Sequence, residues 1–440
     1  MSLLIRQARY VIRSAQRVER DVDVLIEGRH IRAIAPRLEA ETARGSGPVV
    51  IDGRAHAVIP GLVNAHTHLY QSFLRGRSDT HDLDRWLRDI VYPFRQVLRQ
   101  PEAAAAVGYS GGRMAGVEML KNGTTSFIDM EASPPEAWRA WDEVGLRGAV
   151  AFTFADEHLP PALQIPLPER QARLLELVEA ALAEAARTGR LGVLLAPASP
   201  RLCSQALLTW AAELAERLDL RAQTHAATSR PAPGEPSSIA WLAQAGLLSP
   251  RMSLAQCTYL PPDDLDRVVA SGAVVVHCPK SNMKLGNGVA PVPQLLAHGV
   301  PVALANDGPA SNDGLDMFEE MRAAALLHKV RGGAQALTAQ AVFEMATEHG
   351  ARAIGLNAGT LDPGRLADLA LIDLNRPHLV PDHDIVPLLV YCAHGRDVDT
   401  VIVDGQVVLA NGRPTRVDEA EIVREARATA AAWLPQPLAV

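Results

Sequence analysis

The sequence predicts an α/β protein: a (β/α)8 TIM-type barrel with a small β-sandwich domain built from both termini. Three observations carry this expectation. Apolar, strand-like runs alternate with longer helical stretches through the middle of the chain. Short β runs gather at both ends. The histidine, carboxylate and amide residues that could do chemistry stand just after the middle strands.

The ends come first. Val22–Ile34 alternates around Gly28, as a hairpin should, and residues 1–56 read as short strands. Ala367–Asp373 and Thr400–Leu409 match that texture, and Asp404-Gly405 inside the second is a tight-hairpin signal. Residues 1–56 and 364–440 are therefore expected to form one composite β-sandwich, and 57–363 the barrel.

In the middle, the strand candidates are Ala57–Leu62, Thr124–Asp129, Gly148–Phe152, Gly192–Ala196, Arg221–Thr224, Met252–Ala255, Ala273–Val276 and Val302–Ala305. Helical periodicity covers 103–121, 169–188, 204–218 and 317–329. Eight such runs fit a closed barrel better than an open dinucleotide-binding sheet, and no GxGxxG follows the first strand.

The bulk numbers agree. A chain of 440 residues suits one large domain plus a smaller one. Aromatics are only 4%, so the core must be built mainly from Ala, Leu and Val. A net charge of −7 gives no basic face for nucleic acid or an anionic membrane. The four cysteines show no CxxC spacing, which excludes a zinc ribbon and a disulfide framework. The N-terminus lacks the pattern of a signal peptide, and no run approaches the roughly 18 apolar residues of a membrane span. A cytoplasmic enzyme is expected.

The strand ends carry the site. His66 and His68, in Pro60–His68, follow the first strand; His225 follows the fifth, Gln256 the sixth, His277 the seventh and Asp307 the eighth. In a barrel all of these converge on one face. A His-x-His pair on extended backbone puts both imidazoles on one side. His225 and Asp307 could complete a His3Asp metal set with positions left for water and substrate. A metal there would lower the pKa of its water towards about 7, and Asp307 could accept the proton.

At these residues the chain resembles the amidohydrolase superfamily, in the branch of S-adenosylhomocysteine/methylthioadenosine deaminases, 8-oxoguanine deaminases and triazine hydrolases. The motifs that carry the resemblance are Pro60–His68, Phe73–Gly76, Trp86-Leu87 with Tyr92-Pro93, Gly123-Thr124-Thr125, His277–Gly288, Asp307–Asn312 and Ala367-Asp368-Leu369. The resemblance implies one divalent metal ion, zinc ahead of iron, at His66, His68, His225 and Asp307. It also implies hydrolysis at an electron-poor ring carbon of a small N-heterocycle, releasing ammonia, an amine or chloride, and often an oligomer. Trp86, Arg95, Glu131, His277 and Asn282 are the residues expected around the substrate.

Four features depart from the family pattern. Thr228 stands where the family usually has a proton-shuttling Glu, and Gln256 where it usually has a His. Gln can orient water but cannot exchange a proton near neutral pH. Pro197-Ala198-Ser199-Pro200-Arg201 lacks the two ring side chains found in members that act on adenosine-type substrates, and Arg95 replaces their ribose-binding Glu. These last two changes argue against a nucleoside thioether. The expected catalytic group is thus Asp307, assisted by Gln256 and Thr228, with Asp129, Glu131 and His277 as candidate proton carriers. The alternative is a relative that is a lyase, an isomerase or a ligand-binding protein.

Overall fold

A computed structural model describes residues 2–38, 48–131 and 134–434. The N-terminal part contributes β1 (Ser2–Ala8), β2 (Tyr10–Ser14), β3 (Arg17–Glu19), β4 (Val22–Glu27), β5 (His30–Ala35), β6 (Val49–Asp52) and β7 (His56–Pro60). The barrel strands follow: β8 (Leu62–Thr67), β9 (Thr124–Asp129), β10 (Arg147–Phe154), β11 (Leu191–Pro197), β12 (Arg221–Ala226), β13 (Met252–Gln256), β14 (Val274–His277) and β15 (Val302–Leu304). The C-terminal part adds β16 (Leu369–Asp373), β17 (Val398–Val403), β18 (Gln406–Ala410) and β19 (Arg413–Pro414).

The eight barrel strands form one parallel sheet in strict chain order, β15-β14-β13-β12-β11-β10-β9-β8. The helices Pro101–Lys121, Leu167–Thr188 and Gln205–Arg217 lie between consecutive barrel strands and Met317–Gly332 follows the last of them, where the periodicity predicts helices. The two ends of the sheet meet in a single bridge between Thr67 and Asp307. There the Asp307 N–H donates to the His66 carbonyl at 3.0 Å and Thr67 Oγ1 to the Asp307 carbonyl at 2.9 Å. One layer lower, Asn64 Oδ1 accepts from the Asn306 N–H at 3.0 Å.

Low aromatic content has a visible consequence. Within the barrel the core is small: Ala65, Ala149, Ala151, Ala196, Ala255 and Ala303 pack with a few Val, Ile and Leu residues. The larger side chains, among them Trp138, Trp141, Phe127, Phe152 and Phe318, fill the layer between strands and helices.

Both chain ends build the remaining sheets. One has the order β5-β4-β1-β6 and the other β19-β18-β17-β16-β7-β2-β3, so N- and C-terminal strands share a sheet. Leu3, Ile5, Val24 and Ile26 from the first sheet bury against Val58, Leu369, Leu371 and Ile402 of the second. This is the expected sandwich. Asp404 (φ 56°) and Gly405 (φ 71°) make the tight turn between β17 and β18. The sandwich is bolted to the barrel by Arg147 at the start of β10. It donates to Asp368 at 2.7 Å and to Asp404 at 2.8 Å, with the Arg147 and Asp368 side chains almost fully buried.

One expectation needs correction. The run Ala57–Leu62 is not the first barrel strand. Its residues up to Pro60 belong to β7, which pairs with β16 and β2 in the terminal sheet. The barrel begins at Leu62, after Gly61. A Cβ on Gly61 would lie 2.0 Å from Thr125 Oγ1, so only glycine lets the chain cross here against β9. A continuous apolar run conceals such a crossing, because both halves are buried.

Candidate metal centre

β8 carries the feature that aims the histidine pair. Val63 and Ala65 face the barrel interior. Simple alternation from there would turn His66 outward. The pairing with β9, however, steps from Asn64–Phe127 to Thr67–Asp129, three residues against two. This extra residue is a β-bulge, and it brings His66 and His68 to the interior side. The other ligands need no such device. His225 alternates inward from Gln223 on β12, and Asp307 follows Ala303 and Ala305 beyond β15.

Four ligand atoms, one each from His66, His68, His225 and Asp307, lie within 4.8 Å of one another. His66 Nε2 and His68 Nε2 are each 3.5 Å from Asp307 Oδ1, and His68 Nε2 is 3.3 Å from His225 Nε2. Each ring is anchored through its other nitrogen. His66 Nδ1 meets Gln223 Oε1 at 2.8 Å, His68 Nδ1 the Met130 carbonyl at 2.7 Å and His225 Nδ1 the Ala198 carbonyl at 2.7 Å. An acceptor at Nδ1 places the proton there, so the three Nε2 lone pairs converge. His66 Nε2 is buried with no hydrogen-bond donor beside it. Three lone pairs and a carboxylate oxygen, without a donor among them, are a ligand set that fits a divalent cation.

The electrostatics point the same way. Burial and the neighbouring His66 hold His68 well below its ordinary pKa, and burial holds His225 at about 4, so both rings are neutral as ligands must be. Burial opposes ionisation of Asp307, but hydrogen bonding and the neighbouring histidine rings outweigh it, and its carboxyl lies far below the usual range. Its backbone is left-handed, with φ 61°. Gln256 (φ 82°) shares this rare geometry, and strained residues of this kind cluster where a side chain must be aimed.

Asp307 keeps Oδ1 towards the histidines and has Oδ2 fixed from behind. Ser281 Oγ donates to Oδ2 at 2.6 Å and Gln256 Nε2 at 2.9 Å. The Gly308 N–H donates to Oδ1 at 2.7 Å. Gln256 is in turn held through its Oε1 by the Asn282 amide, which also donates to Asn287 at 3.1 Å. Gln256 and Asn282 thus reach the centre as a linked pair. Thr228 lies on the loop after β12, half-buried, and its carbonyl accepts from Thr258.

A cavity of about 360 Å³ opens beside the cluster. Its lining includes Leu69, which follows His68, Glu131, which follows the Met130 that anchors His68, and Ala198, the anchor of His225. Arg95 enters it from the helix Tyr92–Val97 and is paired with Glu131, with Nη2 at 2.9 and 2.6 Å from the two carboxylate oxygens. Tyr70 lines the same wall, its hydroxyl pushed up to about 12 chiefly by burial. The expected pocket residues Arg95 and Glu131 are therefore brought together, but as an ion pair. Asp129 accepts from the Leu69 N–H at 2.8 Å and shapes the turn after His68.

Two expected residues lie elsewhere. His277 does not face the centre. Val274 and Val276 point into the barrel, so the alternate His277 points out, where its Nε2 meets His328 of the helix Met317–Gly332 at 3.3 Å. Trp86 is buried in an apolar cluster with Phe94, Leu285 and Ala310. Two functional partners were not expected: Gln223, two residues before His225 and hence on its face, and Ser281, inside a quoted motif.

A His3Asp set at the carboxyl end of an eight-stranded parallel barrel defines a class of metal-dependent hydrolases. Residues 57–408 match the amidohydrolase family model. The chain is 38% identical over 415 residues to 5'-deoxyadenosine deaminase of Methanothermobacter thermautotrophicus, covering 93% of this chain and 94% of that protein. It is 36% identical over 410 residues to 5-methylthioadenosine/S-adenosylhomocysteine deaminase of Pyrococcus furiosus, covering 91% and 94%. Among solved structures it is similar to a zinc-bound adenosine deaminase from Xanthomonas campestris, with a TM-score of 0.89, 30% identity and 98% of each chain covered. The chain belongs to the amidohydrolase family, and it is a hydrolase of the deaminase-like kind.

Proposed function

We propose that this protein hydrolyses a C–N or C–Cl bond at an electron-poor ring carbon of a small N-heterocycle, with one zinc ion held by His66, His68, His225 and Asp307. The observation that carries the reading is the convergence of three Nε2 lone pairs and Asp307 Oδ1 at the barrel mouth. A divalent cation in such a ligand set supplies water that ionises near neutral pH.

The chain's own residues do the rest. Asp307 accepts the proton of the attacking water, with Ser281 and Gln256 holding its far oxygen so that the near one faces the reaction. Gln256 orients the water or the oxygen that forms, and it does so without exchanging a proton. Thr228 leaves room where related enzymes carry a carboxylic acid. Arg95 and Glu131 present a fixed charge pair to the substrate in the cavity.

The named relatives act on adenosine-type nucleosides. Arg95 favours a different heterocycle here, one rich in carbonyl or anionic groups, and Ala198 and Arg201 stand where members acting on adenosine-type substrates have ring side chains. The decisive experiment is metal analysis of purified protein together with a release assay for ammonia and chloride. Adenosine-type nucleosides, oxopurines, pterins, pyrimidines and triazines would be compared. Solvent oxygen should appear in the product when the reaction is run in labelled water; its absence would sink hydrolysis. Four free thiols, at Cys203, Cys257, Cys278 and Cys392, support the expectation of a cytoplasmic enzyme. Homo-oligomer formation is the remaining expectation, supported by exposed Leu326 and Val330 on one helix and tested by sedimentation.

A further inference from the structure

Behind the metal centre lies a carboxyl group that the proposed chemistry does not use. Glu320, on the helix Met317–Gly332, has no solvent exposure. Its Oε1 accepts from the Asn312 amide and its Oε2 from the Lys280 N–H at 3.4 Å. Asn306 is a further hydrogen-bond partner. Lys280 lies in the segment after β14, in the short helix Pro279–Lys284 that also carries Ser281 and Asn282. Asn306 and Asn312 flank Asp307 on the loop after β15. Glu320 is thus the buried peg between the two loops that meet at Asp307 Oδ2.

The links continue to the centre without a gap. Asn312 Nδ2 donates to the Asn306 carbonyl at 2.6 Å, one residue before Asp307. Ser281 Oγ lies 3.0 Å from Ser311 Oγ while donating to Asp307 at 2.6 Å. Donor counting adds a second, independent observation. Asn306 Oδ1 and Asn312 Oδ1 are both buried and neither accepts a hydrogen bond. Asn306 is already a hydrogen-bond partner of Glu320, and a proton on that carboxyl supplies the donor its amide oxygen lacks.

We propose that Glu320 is a positioning residue, held as a neutral carboxylic acid that accepts from Asn312, donates to Asn306 and locks the β14 and β15 loops so that Asp307 faces the metal ligands. Burial, opposed by Lys280 and Asn312, pushes its pKa up to about 7, which agrees with this form. Lys280 is the nearby cation that opposes the shift, and its ammonium is shared with another carboxylate. Lys280 is drawn onto Glu319, and Cys278 is buried and protonated. Asp316 caps the same helix through the Phe318 N–H.

Activity in the test rests on the hydrolase reading and zinc affinity on its metal site; stability against pH rests on neither. The full-length protein and its Glu320→Gln, Glu320→Ala, Ser281→Ala and Glu320→Ala/Ser281→Ala variants would be compared for zinc affinity, kcat, KM and unfolding against pH. Glu320→Gln keeps a neutral side chain with donors, and it should stay within about twofold of the parent in zinc affinity and kcat. Glu320→Ala should lower kcat by about ten- to a hundredfold, as a misaimed group does, with KM little changed and zinc held more weakly. Its effect should be less than additive with Ser281→Ala. The raised pKa means that the folded parent loses stability as pH rises from about 4.5 to about 7. Relative to the parent, Glu320→Gln should lack that slope. Wild-type zinc affinity in Glu320→Ala, strict additivity with Ser281→Ala, or parallel stability curves for parent and Glu320→Gln would each overturn the proposal. If Glu320→Ala does not fold, the Glu320→Gln curves alone decide. A parent that hydrolyses no heterocycle would sink the functional reading and leave Glu320 to be judged by zinc and stability.

Discussion

The histidine rim and the cavity beside it are built on opposite principles. In the rim every imidazole is anchored by an uncharged carbonyl, from Gln223, Met130 or Ala198, and the ligands are neutral apart from Asp307. In the cavity Arg95 and Glu131 form an ion pair, but Arg95 Nε and the Nε and Nη2 of Arg170 are buried donors without an acceptor among the described residues. The rim exposes unused lone pairs and therefore demands a cation. The cavity wall offers unused donors instead, so it selects a ligand that brings acceptors. A site of this kind separates the conditions for chemistry from the conditions for recognition.

The largest effect should come from breaking the rim. His66→Ala is expected to abolish turnover and stoichiometric zinc together, read by metal analysis and the release assay; retained zinc with full activity would dissolve the distinction. Next comes the anchor behind it: Gln223→Leu should weaken zinc binding by about 10- to 100-fold while the fold survives. On the cavity side, Arg95→Ala should raise KM by about tenfold and change kcat much less, since it removes charge-assisted hydrogen bonds rather than ligands. An equal fall in zinc content would show that the two regions are one.

Acid probes the same contrast. His68 and His277 lie well below their ordinary pKa, and His225 and His328 at about 4, all mainly through burial. Their unfolded counterparts take up protons near 6.5. Stability of metal-free protein should therefore fall as pH drops from about 6.5 to about 4, seen as a declining Tm. The smallest effect belongs to His277→Leu, which should leave turnover within about twofold because its ring faces the helix layer.

What could be read in advance followed periodicity. Seven of the eight barrel strands lie where alternation and apolar runs put them, and the four ligand residues were visible as strand-end residues. Gln223 was legible too, since strand period two sets it on the face of His225. Other features were not. The bulge between Asn64 and Thr67 is a property of pairing with β9, and no residue in β8 announces it. His277 looked equivalent to the other strand-end histidines; only the interior positions of Val274 and Val276 reveal its direction. The pairing of Arg95 with Glu131 joins residues from separate elements, which no local pattern encodes.

The closing seam of the barrel has a consequence for how this protein matures. His66 and Asp307 are 241 positions apart, yet the backbone of one donates to the other across the last join of the sheet. The full ligand set cannot exist before that join is made. Metal content would therefore serve as an assay of completed folding, and a nascent chain halted before β15 should be unable to hold an ion tightly. Loading would come last, and a bound ion would act as a clasp against reopening.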